Sequence, residues 1–267
     1  MDSTLLDVTP RSVIFIIVFA GSLLSFELGF AIGKRRRHRD EEKNLGPMVT
    51  GVLGLVAFIL ALTYSMAVNR HDQRKQNVLS DANAISTAYL RATLAANPEG
   101  ARIRGLLVRY TNQRAHFMEY ENLHDLLNET QAIQMEIWKQ VLALNDKSPG
   151  PATVSLASAL TQVFDMHEKR IHDGIYNRLE TNVWVVVISI VLLGMLMLGV
   201  QSGFNRRQSL VGLVPFALAL AAVVALIADM DNPQAGMFIV SQQPMLDTLQ
   251  TIRSYEATIE TGVSRAP

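Results

Sequence analysis

Apolar positions in this chain do not alternate with polar ones. They gather into four long runs, at 12–32, 45–68, 183–200 and 210–228. Each run is close to the ~20 apolar residues that a helix needs to cross a bilayer. None shows the two-residue alternation of a β-strand, so the helix is the spanning element, because it satisfies its own backbone hydrogen bonds in lipid. The runs form two close pairs, with a mostly polar stretch between the pairs.

That stretch has a helical pattern of its own. Ile103, Leu106, Leu107, Tyr110, Phe117, Leu123, Leu126 and Leu127 recur at three- and four-residue steps, and so do Ile133, Ile137, Trp138, Val141 and Leu142. Asn145-Asp146-Lys147-Ser148-Pro149-Gly150-Pro151 breaks the pattern. A last helix carries Val154, Leu160, Val163, Phe164, Ile171 and Leu179, and is expected to continue into the third crossing. After the second run, no Gly or Pro intervenes between Val68 and Asn97-Pro98. At ~1.5 Å per residue, that helix would reach about 40 Å beyond the membrane. The expected fold is an all-α membrane protein, with four transmembrane helices and an extramembrane helical stalk domain between the second and third. The expected divisions are a first hairpin (1–68), a helical domain continuous with its flanking crossings (69–182), a second hairpin (183–228), and an acidic turn with an amphipathic tail (229–267).

Charge adds an orientation. The first pair is joined by Lys34-Arg35-Arg36-Arg37-His38-Arg39, the second by a short tip carrying Arg206 and Arg207. The positive-inside rule places such tips in the cytoplasm. The protein is then a multi-pass protein of the cell (inner) membrane, with its inserted domain periplasmic or extracellular. Arg70, Arg74, Lys75, Lys169, Arg170 and Arg178 flank the opposite face. Net charge is zero, from 24 basic and 24 acidic residues, so charge gives no argument for nucleic acid as a partner. With no cysteine, disulfides and thiolate chemistry are excluded. Met1 to Pro10 lacks a basic n-region and a small-residue cleavage site, so the first run is expected to be a retained anchor.

Few residues have the types and spacing that chemistry needs. Glu27 lies inside the first crossing, where a carboxylate is costly; it either faces an ion cavity or reaches Lys34 or Arg35 near the interface. Phe58, Leu62, Ser65, Asn69 and Asp72 share one face of the second crossing. A face passing from apolar to hydroxyl to amide to carboxylate suits a pore mouth, and equally a helix emerging into water. Asp229, Asp231 and Asn232 follow the fourth crossing, just before Pro233. They are either hard oxygen ligands for a cation such as Ca²⁺ or a helix stop with exposed acids. Small residues (Gly29 and Gly33, Gly51 and Gly54, Gly194, Gly199 and Gly203) permit close helix packing or contact between copies. His167 and His172 resemble a zinc-protease pair, but their five-residue spacing puts them on different faces, and that motif is rejected. No phosphate-binding loop, dinucleotide fingerprint or nucleophile elbow occurs, so an enzyme is not expected.

Two blocks resemble a known family. Ser65-Met66-Ala67-Val68-Asn69-Arg70-His71-Asp72-Gln73-Arg74 leads into Asp81-Ala82-Asn83-Ala84-Ile85-Ser86-Thr87-Ala88-Tyr89-Leu90-Arg91. Asp229 to Gly236 is followed by Val240-Ser241-Gln242-Gln243-Pro244-Met245-Leu246-Asp247. Together they resemble the bacterial bestrophin-like domain family of four-crossing membrane proteins. Bestrophins proper are pentameric anion channels with an acidic calcium clasp after the fourth crossing, and Asp229 and Asp231 fall at that position. Their aromatic neck is reduced here to Phe58, and their inserted domain is cytosolic, opposite to the side that the basic tips imply. The resemblance implies a homo-oligomer in the lipid bilayer, acting on ions. The functional expectation is a pore lined by the second crossing and gated by a cation at the membrane edge. The alternative is a non-conducting scaffold or sensor whose helical domain binds a partner or ligand.

Overall fold

The computed structural model describes residues 11–36, 45–116, 123–176, 178–205, 210–232 and 238–263. The sequence expectations for the N-terminus (1–10), the basic tips (37–44 and 206–209), Phe117 and the turn at 233–236 fall outside the described residues. Every element among the described residues is helical. In chain order they are α1 (Arg11–Arg36), α2 (Gly46–Ala92), α3 (Glu99–Ala115), α4 (Leu123–Lys147) and α5 (Pro151–Ile171). A π-helical turn (His172–Tyr176) follows, then α6 (Thr181–Asn205), α7 (Leu210–Asp231) and α8 (Gln243–Val263). Four of them, α1, α2, α6 and α7, are long and apolar enough to cross a membrane.

Helix ends follow local chemistry. α2 begins at Gly46-Pro47, where a proline lacking its N–H costs no helical bond. It runs unbroken for 47 residues and stops before Asn97-Pro98, as expected. α4 ends at Lys147, and α5 restarts with Pro151 in its first turn. The expected passage from α5 into α6 without a break is overturned. The π-helical turn contains Gly174, residues 178–180 are not helical, and α6 starts only at Thr181. Two tethers accompany the break. Asn77 Nδ2 donates to Asp173 Oδ2 at 2.6 Å, and Arg74 Nε to the Asp173 carbonyl at 3.1 Å. Leu179 N–H donates to the carboxylate of Asp231 at 3.0 and 3.1 Å.

The chain forms two compact units, 1–72 with 177–239 and 73–176 with 240–267. In the first, α1 and α6 meet backbone to backbone. A Cβ at Gly29 would overlap the Leu196 carbonyl, and one at Gly33 that of Val200. In return, a Cβ at Gly199 would overlap the Phe26 carbonyl, and one at Gly203 that of Phe30. Ser25 Oγ adds a hydrogen bond to the Leu192 carbonyl at 2.6 Å. Phe26, Val187, Val191 and Met195 fill the core beside this contact, with Ala217, Ala221, Val224 and Ile227 of α7. α2 contributes Val56, Leu60 and Ala67 to the same core.

The second unit packs the end of α2 with α3, α4, α5 and α8. Its core holds Ile85 and Tyr89, Ile103, Leu107 and Tyr110, Ile137 and Leu144, and Leu156 and Leu160. α8, expected only as an amphipathic tail, buries Met245, Leu249 and Ile252 in this core. Glu256 fixes it further, accepting from the Tyr89 hydroxyl and from Arg104 Nε. Not every residue of the apolar pattern is inside. Trp138, Leu142 and Val154 are exposed.

The glycines make opposite predictions. At Gly29 or Gly199 a valine would force α1 and α6 apart, at a cost of ~1–3 kcal/mol or more. At Gly51 an added Cβ meets nothing within 4 Å, so alanine there should move stability by no more than ~0.5 kcal/mol. Thermal unfolding of the detergent-solubilised protein checks both, and equal effects at the two kinds of position would refute the contact.

Candidate functional site

α2 has two faces. At about 100° per residue, Val56, Leu60, Thr63 and Ala67 share a buried face with Arg70, His71, Arg74, Asn77 and Asp81. Thr63, His71, Arg74, Asn77 and Asp81 are buried polar residues on that face, and Arg70 is half-buried. Phe58, Leu62, Ser65, Asn69 and Asp72 lie together on the opposite face, and all five are exposed. The expected lining residues are therefore brought to one surface of the helix. Arg70 and Arg74, which flank Asp72 in sequence, are turned away from it. Glu27 is exposed on α1, within the apolar segment.

Beside the buried face of α2, the acidic end of α7 is buried rather than displayed, with Asp229 and Asp231 both less than a tenth exposed. The Asp231 carboxylate accepts the Leu179 N–H, and its Oδ1 lies 3.7 Å from Arg70 Nη1. Asn232 continues the helical bonding through its N–H to the Ala228 carbonyl at 3.2 Å. The His71 ring meets the Phe238 ring edge-on at 6.2 Å between centroids. A calcium shell needs 6–8 oxygens, and Asp229, Asp231 and Asn232 supply only part of one. A guanidinium and an amide N–H occupy the approach to Asp231. Among the described residues no group of three or more His, Cys, Asp or Glu is placed to hold a metal.

The second unit holds a polar centre that sequence reasoning missed. Asp81 is fully buried. Its Oδ2 accepts from Arg114 Nη2 at 3.0 Å and from Arg170 Nη1 at 2.9 Å. Arg170 Nη2 also donates to Gln242 Oε1, just before α8. Tyr110 and His167 complete the centre, with their rings edge-on at 6.3 Å. Burial pushes the Tyr110 phenol up to about 12. Burial, with the Arg114 charge, holds His167 down to about 3, so it is neutral at ordinary pH. Burial and Arg114 likewise lower Arg170 to about 10. The missed signal was one of phase. Asp81 precedes Ile85 and Ala88 on one stripe, Arg114 follows Leu107 and Tyr110, and His167 and Arg170 follow Val163. Charged groups standing where a helix's apolar positions are due mark a buried ion pair.

Comparison with protein families gives a match to the bestrophin-like domain over residues 14–245. The chain belongs to the bestrophin-like domain family. The match takes in the buried acidic end of α7 and the Asp81 centre, and it ends as α8 begins. No match was found among curated proteins or solved structures. As a member of the bestrophin-like domain family with four apolar helices, the protein is a multi-pass membrane protein.

The Asp81 centre generates two expectations. Asp81→Asn would take from Arg114 and Arg170 the buried carboxylate that both grip, and should cost ~3–5 kcal/mol of unfolding free energy. His167 should make stability pH-dependent. Its folded value lies below the ordinary 6.5, so the unfolded chain binds the proton first. Its contribution is therefore complete above about pH 6.5 and declines as pH falls toward about 3. Urea unfolding across that range should slope for the wild type and flatten in His167→Gln; equal slopes would show that His167 is not held neutral.

Proposed function

We propose that the protein is an oligomeric ion pore in which α2 of each copy lines the conducting path. The observation that carries this reading is the exposed stripe of Phe58, Leu62, Ser65, Asn69 and Asp72. α2 is the least enclosed of the four apolar helices, with 22 % of its apolar window buried against 28–33 % for the others. A hydroxyl, an amide and a carboxylate in register on its outward face are better matched to water than to hydrocarbon. Family membership agrees with a channel.

Asp72 is the acidic member of that stripe, while Arg70 and Arg74 face inward, so the path favours cations. We read Asp231 as a structural clasp that joins Arg70 of α2 to the chain entering α6, in place of calcium gating. The helical domain between the second and third crossings would stand outside the bilayer as a stalk, on the side away from the basic tips. Purified protein in planar bilayers should pass ion currents. Asp72→Asn should lower the cation-to-anion permeability ratio, and calcium chelation should leave the conductance unchanged. Silence across ions, pH and voltage would sink the pore.

One feature favours a second reading, a non-conducting scaffold or sensor. Met135, Trp138 and Leu142 lie at i, i+3 and i+7 on α4 and are all exposed, an apolar stripe on the helical unit. Such a stripe fits a partner helix. Silent bilayers, with Trp138→Ala abolishing co-purification of a partner, would favour this reading over the pore.

A further inference from the structure

Within the second unit, α2 buries one face and leaves the other open. Asn77, Asp81, Ile85 and Tyr89 are buried. On the open face Gln76, Leu79, Asn83 and Leu90 are exposed, and Ser86 is half-buried. Leu79 and Leu90 keep 50 % and 47 % of their surface open. These five positions follow one another by alternating steps of three and four residues, the 3.5-residue repeat with which helices pair in coiled coils. The face is also empty of charge. From Leu79 to Leu90 its open residues are Leu79, Ser80, Asn83, Ser86, Thr87 and Leu90. By contrast, α5 exposes Asp165, Glu168 and Lys169, and α4 exposes Asp125, Glu129 and Lys139. A helix face that stays in water normally carries such charges. Loss of charge around large apolar side chains marks the core of a protein–protein contact.

The polar members of the face indicate what covers it. A side-chain amide or hydroxyl carries both a donor and an acceptor, so Gln76, Asn83 and Ser86 can each pair with an identical residue. Two like charges could not. α2 also contains the second apolar span. Copies inserted with one topology therefore run their α2 helices parallel. A rotation axis along the membrane normal then sets each residue level with its own counterpart. We infer that this face is a contact between copies of the chain, in which α2 of one protomer packs against α2 of the next, parallel and in register. Leu79 and Leu90 form its apolar layers, and Asn83 forms the polar layer between them. A buried asparagine in such a seam costs stability but fixes register and the number of strands. The inference rests on the oligomeric part of the proposed function and does not need a conducting path.

The chain has no cysteine, so single cysteines report contacts without background. Leu79→Cys, Asn83→Cys and Leu90→Cys are introduced one at a time into the full-length protein. Ser158→Cys and Glu168→Cys, on the exposed face of α5, serve as controls. Membranes holding each variant are treated with a short bismaleimide. The three α2 positions should give a band of two linked protomers several-fold stronger than the controls. Adding Leu79→Glu to the Leu90→Cys chain sets like charges face to face and should cut its linking several-fold. All of these side chains are exposed, so the changes leave the protomer's own core intact. Linking at α2 no stronger than at α5 would overturn the inference. So would linking that Leu79→Glu leaves unchanged, or adducts whose mass belongs to a different protein. Unlinked α2 positions in a protein that still passes ions would remove this contact and keep the pore. Linked positions in a protein silent in bilayers would keep the contact and remove the pore.

Discussion

Gly29 and Gly33 on α1 face Gly199 and Gly203 on α6, and each helix sets its carbonyls where the other would carry a Cβ. Inside a bilayer, apolar side chains gain nothing by leaving lipid for one another. Helix association rests on close van der Waals contact and on the few hydrogen bonds available. Four glycines give the first, and Ser25 donating to the Leu192 carbonyl gives one of the second. With that pair fixed, α7 lays Ala217, Ala221, Val224 and Ile227 into the same core, and α2 adds Val56, Leu60 and Ala67. Gly194 takes the Val56 side chain closely, so even this lighter contact is shaped by a missing Cβ. At Gly51 and Gly54, by contrast, an added Cβ would meet nothing within 4 Å.

The helical unit solves a different problem. Its apolar core is ordinary, but it encloses Asp81 with two arginines. Removing charges from water is expensive, and an ion pair in a core is seldom worth more than well-packed hydrocarbon. What such a group does well is to fix geometry. Asp81 on α2 ties Arg114 on α3 to Arg170 on α5, and Arg170 reaches Gln242 ahead of α8. Four segments are thereby set in one register by contacts that tolerate little sliding. Tyr89 and Arg104 converging on Glu256 repeat the device for the body of α8.

Much of this was legible in the chain. Four apolar runs near bilayer length became four helices, because length and composition alone decide that question. The long α2 followed from the lack of any Gly or Pro up to Asn97-Pro98. The α5–α6 break was not legible, because its tethers come from distant positions, Arg74 and Asn77 in one unit and Asp231 in the other. The role of Asp231 was hidden for the same reason. In sequence it reads as an exposed acid after a membrane helix, and only the fold brings the Leu179 amide and Arg70 to it. The common face of Phe58 to Asp72 was legible, because helical phase is local. The Asp81 centre was readable only as charges out of phase with apolar stripes, a signal that composition conceals.

Each unit holds its own part of α2 with polar groups. In one unit Arg70 lies beside Asp231 and the His71 ring abuts Phe238. In the other, Arg74 and Asn77 meet Asp173, and Asp81 meets its two arginines. All of these α2 residues fall within about 60° of the line through Val56 and Ala67, at 100° per residue. Within each unit, a turn of α2 by one residue would carry its charged residue, Arg70 in one and Asp81 in the other, off the partner it has there. A purely apolar seam would resist that rotation far less, since neighbouring leucines and valines can substitute for one another at small cost. The polar contacts on the inner face therefore determine what the outer face displays. Within the first unit, Ser65, Asn69 and Asp72 point outward while Arg70 and His71 are held inward.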